Sequence, residues 1–187
     1  MKRILLIFGL TLFINFTYSQ TINITESEFT GVIVYVNDTI GEGIKLEQQT
    51  ISTSTRANAA SFVPVVGFAA GKSKSKNIVK GSSSSVKLNN NNKLQFIVKV
   101  ANNSVDPSTI LNIFKLSSNR KKNIRTLKIG SYNAIGGSKS GNINYIPFSA
   151  KKYGENSYLI QIDNIESGEY AMTLVERRDL FHMFCIE

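Results

Sequence analysis

Tryptophan is absent from this 187-residue chain, and histidine and cysteine occur once each, as His182 and Cys185. A single cysteine cannot form an internal disulfide, so the fold must depend on packing of aliphatic and phenylalanine side chains. The pair cannot form a Cys–His dyad within one strand, because positions three apart point to opposite faces. Nor do they supply the ligands of a zinc site. We expect Cys185 to be buried in the core and His182 to lie on the other face.

Long apolar runs are scarce, and the longest lies at the N-terminus. Met1-Lys2-Arg3 begins the chain with positive charge, an apolar run covers residues 4–14, and Ser19 precedes Gln20. This order is typical of a secretory signal peptide, and the run is shorter than the roughly 20 residues of a transmembrane helix. We predict a signal peptide over residues 1–19 and a mature chain without a transmembrane segment. The protein would be exported to the periplasm, the cell surface or the medium of a bacterium.

The remaining sequence predicts one domain over residues 31–187, after a loose lead-in over residues 20–30. Short segments with alternating apolar and polar residues recur along it, and no helical periodicity extends beyond two turns. About ten short strands at this spacing predict an all-β fold. We also expect an irregular apolar loop over residues 60–72 and a flexible Gly/Ser loop over residues 136–141. A further strand, residues 143–148, would pair with residues 158–162.

The C-terminal segment carries the clearest fold signal. Glu166, Gly168 and Tyr170 have the spacing of a tyrosine corner, in which a tyrosine at the start of a sandwich strand hydrogen-bonds to the preceding connection. These residues predict an antiparallel β-sandwich of the immunoglobulin-like type, with this corner near its closing strands.

Charge is the most informative functional pattern. The whole chain has a net charge of +9, and the segment from Lys72 to Lys152 holds 16 basic residues but only one acid, Asp106. A hairpin over residues 115–128 holds the densest group of bases, which could contact an anionic partner. The alternative is a solvated hairpin end, paired with acids from the flanking segments. The candidate contacts are Arg120, Lys121, Lys122, Arg125 and Lys128.

Motifs for catalysis or for binding a cofactor or a metal are not recognisable. The segment Gly67–Ser73 resembles a phosphate-binding loop, but three residues separate its glycines where the motif needs four. Asp38 and Glu42 flank a turn without the dense acid spacing of a calcium loop. We therefore predict no catalytic, cofactor or metal site. An enzyme stays open as an alternative, because sandwich enzymes assemble their sites from scattered loops.

From Ile110 onward the chain resembles a group of exported bacterial proteins whose activity is uncharacterised. The resemblance covers about residues 110–187 and implies a β-rich exported domain, but no activity. The shared pieces are Phe114-Lys115-Leu116, Lys121-Lys122-x-x-Arg125, Ser140-Gly141, Ile146-Pro147-Phe148 and Gly168-Glu169-Tyr170.

Two functional hypotheses follow. The first is a non-enzymatic module that binds or assembles at the cell envelope, where the basic hairpin contacts an envelope protein, an anionic polysaccharide or a lipid. A nucleic-acid partner is not expected, because no aromatic residue interleaves the bases. The second is a glycan-binding module or glycan-acting hydrolase. Its sugar platform would use Tyr132, Tyr145 and Tyr153, which lie near the Gly/Ser loop in the sequence.

Overall fold

The computed structural model describes residues 22–37, 41–57, 72–90, 93–133, 137–140 and 143–187. Strands make up most of this part of the chain, which confirms the predicted all-β class, and its one α-helix is a single turn, α1 (Pro107–Ile110). The predicted signal peptide and all but the last residue of the predicted apolar loop lie outside these ranges. In chain order the strands are β1 (Ile33–Asn37), β2 (Glu42–Lys45), β3 (Glu47–Thr50), β4 (Ser52–Ala57), β5 (Lys72–Lys80), β6 (Lys87–Leu88), β7 (Lys93–Lys99), β8 (Leu111–Asn119), β9 (Ile124–Asn133), β10 (Gly137–Ser140), β11 (Ser149–Tyr153), β12 (Ser157–Asp163), β13 (Gly168–Leu174) and β14 (Leu180–Ile186).

The strands form two mostly antiparallel sheets. The smaller sheet has the order β11-β12-β7-β1-β2, and the larger has the order β3-β14-β13-β8-β9-β5-β4. Strand β10 adds to β9, and β6 adds to β14 in parallel. Short hairpins connect β8 to β9 and β11 to β12, so sequence neighbours pair as antiparallel sheets allow.

The larger sheet is strongly curled, and its two edge strands follow each other directly in the sequence. Its edge strands β3 and β4 are separated only by Ile51, so one bent segment pairs with β14 at one end and with β5 at the other. The Gln49 side chain bridges the gap: its amide nitrogen donates to the Lys80 carbonyl at 3.2 Å, and its oxygen accepts from the Lys80 amide at 3.1 Å. The result is a half-barrel with an inner and an outer face.

Three apolar clusters hold this arrangement together. The largest lies between the two sheets, where the Phe184 ring is 5.1 Å from Phe96 and 5.6 Å from Tyr170. The second fills the inside of the half-barrel, where Phe114 and Phe181 meet edge to face at 5.0 Å. The third covers the outer face of the smaller sheet. Strands β8, β13 and β14 serve both the first and the second cluster, because successive side chains point to opposite faces.

The corner at residues 166–170 contains the predicted hydrogen bond. The Tyr170 hydroxyl donates to the Glu166 carbonyl at 2.8 Å. Gly168 has φ +148°, and a Cβ there would lie 2.7 Å from Cε of Lys115. The missing side chain lets Lys115 cross the corner, where its ammonium lies 3.0 Å from a Glu166 carboxylate oxygen and 5.7 Å from the centre of the Tyr170 ring.

Two local predictions were wrong. Residues 149–153, not 143–148, form the strand that pairs with β12, and the earlier segment makes one isolated bridge, between Tyr145 and Phe114. Pro147 has no backbone N–H to donate, which disfavours a continuous ladder there. Residues 137–140 of the predicted Gly/Ser loop form β10 instead, because small residues can extend alongside β9.

The lead-in has no regular secondary structure, but from Ile22 onward it is not loose. Ile22 and Ile24 pack on the third cluster, and the Ile24 amide donates to the Tyr153 hydroxyl at 3.2 Å. Glu26 pairs with Lys99 at 2.6 Å. These contacts attach residues 22–26 to the smaller sheet as part of the packed domain.

Candidate functional site

The structure separates the five predicted contact residues into four exposed bases and one buried arginine. Residues 120–122 form an exposed 3-10 turn between β8 and β9, and Lys128 is exposed on β9. Arg125, in contrast, has no exposed surface. It points to the inside of the half-barrel with Leu127, whereas Lys128 points outward. Arg125 therefore has to be removed from the predicted surface contacts.

Two carboxylates and two carbonyls hold the Arg125 guanidinium. Nη2 lies 2.8 Å from Oε1 of Glu47, and Nη1 lies 3.4 Å from Oε2 of Glu169. Nε donates to the Gly81 carbonyl and Nη2 to the Lys80 carbonyl, both at 3.1 Å. This cluster ties β3, β5, β9 and β13 together from the inside.

The same two carboxylates fix the serine loop that follows β5. Glu169 accepts from the Ser83 hydroxyl at 2.5 Å and the Ser84 amide at 2.9 Å, and Glu47 accepts from the Ser85 amide at 2.7 Å. Burial alone would raise the pKa of Glu47, but its hydrogen bonds with Arg125 and the serines lower that pKa to about 2. Glu47 is thus ionised at neutral pH, and the polar groups of the cluster bond to one another and to the backbone.

The exposed bases extend well beyond the predicted hairpin. Strand register places Lys76 directly opposite Lys128, and Lys74 directly opposite Arg56. Directly opposed residues share a face of an antiparallel sheet, and so do alternate residues along a strand. These residues and Lys80 therefore lie on the outer face of the half-barrel. We call Arg56, Lys74, Lys76, Lys80 and Lys128, with the adjoining turn of Arg120, Lys121 and Lys122, the basic face.

Charge on the basic face is unbalanced. In the part of the chain that the structure describes, none of its members forms an ion pair with a carboxylate. Lys76 and Lys128 oppose each other directly, and like charges in that position destabilise a sheet. The hydroxyl residues Ser52, Ser54 and Thr126 lie between the bases on the same face. The arrangement presents closely spaced cations and hydroxyls without a protein counter-ion.

The three tyrosines of the glycan hypothesis lie on separate elements. Tyr145 is 56% exposed beside β8. Tyr153 is in β11 of the smaller sheet, and its hydroxyl is bonded to the lead-in. Tyr132 is in β9, and its side chain is outside the described part. The described residues provide no shared aromatic platform.

A pocket of about 610 Å³ opens between the sheets, where β1 begins and β7 ends. Its walls combine apolar side chains, such as Val100 and Leu174, with the polar side chains of Asn102, Arg177 and His182. Local sequence patterns did not predict it, because its walls come from five separated parts of the chain.

His182 is the buried polar group of this pocket, with 1% of its surface exposed. The Gln48 amide nitrogen lies 3.3 Å from Nδ1, and since that nitrogen can only donate, the ring proton sits on Nε2. Burial, together with the nearby charges of Lys45 and Arg177, lowers the pKa of His182 to about 4, so the ring is neutral at pH 7. As predicted, Cys185 is buried, and strand alternation places it on the face opposite His182.

Among the described residues, no three His, Cys, Asp or Glu side chains gather into a set that could hold a metal ion. No helix in the same part of the chain has the length and apolar character to cross a membrane. Comparison with known protein families, curated proteins and solved structures found no match to this chain. The basic face and the pocket are therefore the features from which function has to be argued.

Proposed function

We propose that this chain is an exported, non-enzymatic β-protein that binds an acidic polysaccharide of the cell envelope through its basic face. The observation that carries the proposal is the Lys76–Lys128 cross-strand pair, beside Lys74 and Arg56, with no carboxylate paired to these residues in the described chain. Mutual repulsion is a cost to the fold that a polyanion would offset, because it supplies the missing counter-charges.

The geometry of the face suits a linear polymer. Alternate residues of a strand lie about 7 Å apart, and neighbouring strands lie about 4.8 Å apart. Lys74, Lys76 and Lys80 thus form a row along β5, and Arg56 and Lys128 extend it to both sides. A chain with regularly repeated carboxylates can contact several of these cations at once.

Two features favour a polysaccharide over a lipid surface. The hydroxyl residues Ser52, Ser54 and Thr126 lie on β4 and β9, on either side of the β5 bases, and they can hydrogen-bond to sugars as well as to carboxylates. Large apolar side chains exposed in the described part of the chain are Phe29, Val105 and Tyr145, and none lies on β4, β5 or β9. Ile78 lies on the same face between Lys76 and Lys80 but is half-buried, so among the described residues the basic face has no large, fully exposed apolar side chain to insert between lipids.

Binding to alginate beads at several salt concentrations tests the proposal. A variant with Lys74→Gln, Lys76→Gln and Lys128→Gln should bind roughly tenfold more weakly at low salt, if each cation contributes about 0.5 kcal/mol. The matched control carries Lys93→Gln, Lys151→Gln and Lys152→Gln, which removes the same charge from exposed positions of the smaller sheet.

The control variant should bind as well as the unchanged protein, and salt should release both. Equal losses in the two variants would mean that binding follows net charge, and would overturn the assignment to the basic face. A third arm uses vesicles that contain anionic lipid. Tighter binding to vesicles than to alginate would assign the face to a membrane surface instead.

Export and the detailed fold type belong to the same proposal. We infer that residues 1–19 are a signal peptide, which agrees with the resemblance of residues 110–187 to exported bacterial proteins. The immunoglobulin-like assignment is supported by the two packed sheets and by the hydrogen bond of Tyr170 at the corner. N-terminal sequencing of the protein from culture fractions tests export: a mature chain that retains Met1 would contradict it.

A further inference from the structure

We propose that the pocket between the sheets binds a small amphipathic carboxylate, with its apolar body between the aliphatic walls and its carboxylate near His182 and Arg177. This site is separate from the basic face and does not depend on the polysaccharide proposal. Its support is the shape of the pocket, the His182 ring among the residues that line it, and the charges nearby.

The pocket has the size and the lining of a small-molecule site. Its volume of about 610 Å³ lies within the range of about 300–1,000 Å³ that is common for ligand pockets. Val32, Val100, Leu174 and Leu180 supply aliphatic wall, and Val105 is 45% exposed where it lines the pocket. Such walls favour an apolar body, because contact with it removes apolar surface from water.

The polar end of the pocket is a hydrogen-bond donor. The Nδ1 atom of His182 accepts from Gln48, so Nε2 carries the ring proton. Within the described part of the chain, no protein group accepts a hydrogen bond from Nε2, and His182 is one of the residues that line the pocket. A ligand oxygen in the pocket can accept this hydrogen bond.

The positive charges near His182 favour a negatively charged ligand over a positively charged one. Lys45 and Arg177 both act on the His182 ring, which favours a negative group beside it and disfavours an ammonium. Glu176 lies at the rim and is exposed, and Asp179 contacts the Nε atom of Arg177 at 3.3 Å. Among the described residues neither Nη atom of Arg177 has a hydrogen-bond partner, so both can donate to a carboxylate.

The single histidine of the chain makes the test direct. In untagged protein, the imidazole nitrogen resonances belong to His182 alone. Titration with hexanoate, 1-hexanol and hexylammonium compares ligands that share an apolar body and differ in head group. Hexanoate should shift the Nε2 resonance saturably, 1-hexanol should bind about tenfold more weakly, and hexylammonium should leave the resonance unchanged.

Substitutions at the exposed rim of the pocket test the proposal without changing the core. Arg177→Gln should weaken hexanoate binding about tenfold and leave 1-hexanol binding unchanged. The matched control is Arg178→Gln, which removes a charge from the next exposed residue, outside the pocket lining. Val105→Trp should block both ligands by filling the entrance.

Three results would overturn the inference. Absence of a saturable shift with hexanoate would exclude a carboxylate at His182. Equal shifts with hexanoate and hexylammonium would exclude selection by charge. Equal losses in Arg177→Gln and Arg178→Gln would remove Arg177 from the site. The alginate experiment tests the basic face, so a failure of alginate binding would leave the conclusions about the pocket unchanged.

Discussion

Replacing Arg125 with methionine tests whether the inner cluster organises the half-barrel. Methionine is of similar length and can fill the space, but it donates no hydrogen bond. The change removes the partner of Glu47 at 2.8 Å and of Glu169 at 3.4 Å. It also leaves the Gly81 carbonyl without its side-chain donor and the Lys80 carbonyl with only that of Gln49. Glu169, only 7% exposed, would keep only its hydrogen bonds from Ser83 and Ser84.

The expected loss follows from burial. Removing one member of a buried ion pair costs about 3–5 kcal/mol, because the remaining charge is left without its counter-ion. The upper end of this range applies if the cluster stays dry, and the lower end applies if water reaches Glu47, whose side chain is 15% exposed. For a chain of this length, each kcal/mol shifts the melting temperature by about 2–4 °C, so the transition should fall by roughly 6–20 °C.

Urea unfolding followed by far-ultraviolet circular dichroism measures the change, since the chain has no tryptophan for fluorescence. Arg120→Met is the control, because Arg120 is exposed on the same hairpin, and its effect should stay within about 0.5 kcal/mol. Adding Glu47→Gln and Glu169→Gln to Arg125→Met should recover part of the loss, because no unpaired charge remains. A loss below 1 kcal/mol for Arg125→Met would refute the reasoning.

Three further predictions concern stability. Because folding lowers the pKa of Glu47 from 4.5 to about 2, its ionised form stabilises the fold above about pH 4.5, and that contribution disappears as the pH falls through 2. Glu47→Gln should therefore flatten the acid-unfolding curve over this window; an unchanged curve would contradict the linkage. Tyr170→Phe removes the corner hydrogen bond and should cost about 1 kcal/mol, against almost nothing for Tyr145→Phe at an exposed position. Lys76→Gln should stabilise the fold by a few tenths of a kcal/mol at low salt by relieving its repulsion with Lys128, and the gain should vanish in high salt.

Local alternation was sufficient to predict much of the strand content. The corner hydrogen bond of Tyr170 was predicted from the spacing of Glu166, Gly168 and Tyr170 alone, and the structure contains it. The segment from Ile143 shows the limit of this signal. It alternates like a strand, but Pro147 and the absence of a continuous neighbour leave it with one bridge in the described structure.

The candidate site was harder to predict, because its parts meet only through register. The partners of Arg125 lie 78 and 44 residues away in the sequence, and no local pattern relates them. Alternation did indicate that Arg125 and Lys128 point to opposite faces, but not which face is enclosed. That depends on the curl of the larger sheet, whose edge strands β3 and β4 meet at Ile51. The alternating lysines of β5 were the available sign of the basic face.

The inner cluster and the outer basic face depend on the same stretch of backbone. The Lys80 carbonyl accepts from both Arg125 and Gln49 on the inside, while its side chain points outward with Lys76 and Lys74. Repulsion among the outer lysines tends to separate β5 from β9, and the buried guanidinium, hydrogen-bonded to backbone at the end of β5 and to carboxylates of β3 and β13, opposes that separation. A sheet that presents unbalanced cations in fixed register needs such an internal restraint. Arg125 points inward from a hairpin whose neighbouring bases point outward. This arrangement is consistent with a stabilising role for Arg125 and a binding role for the outer bases.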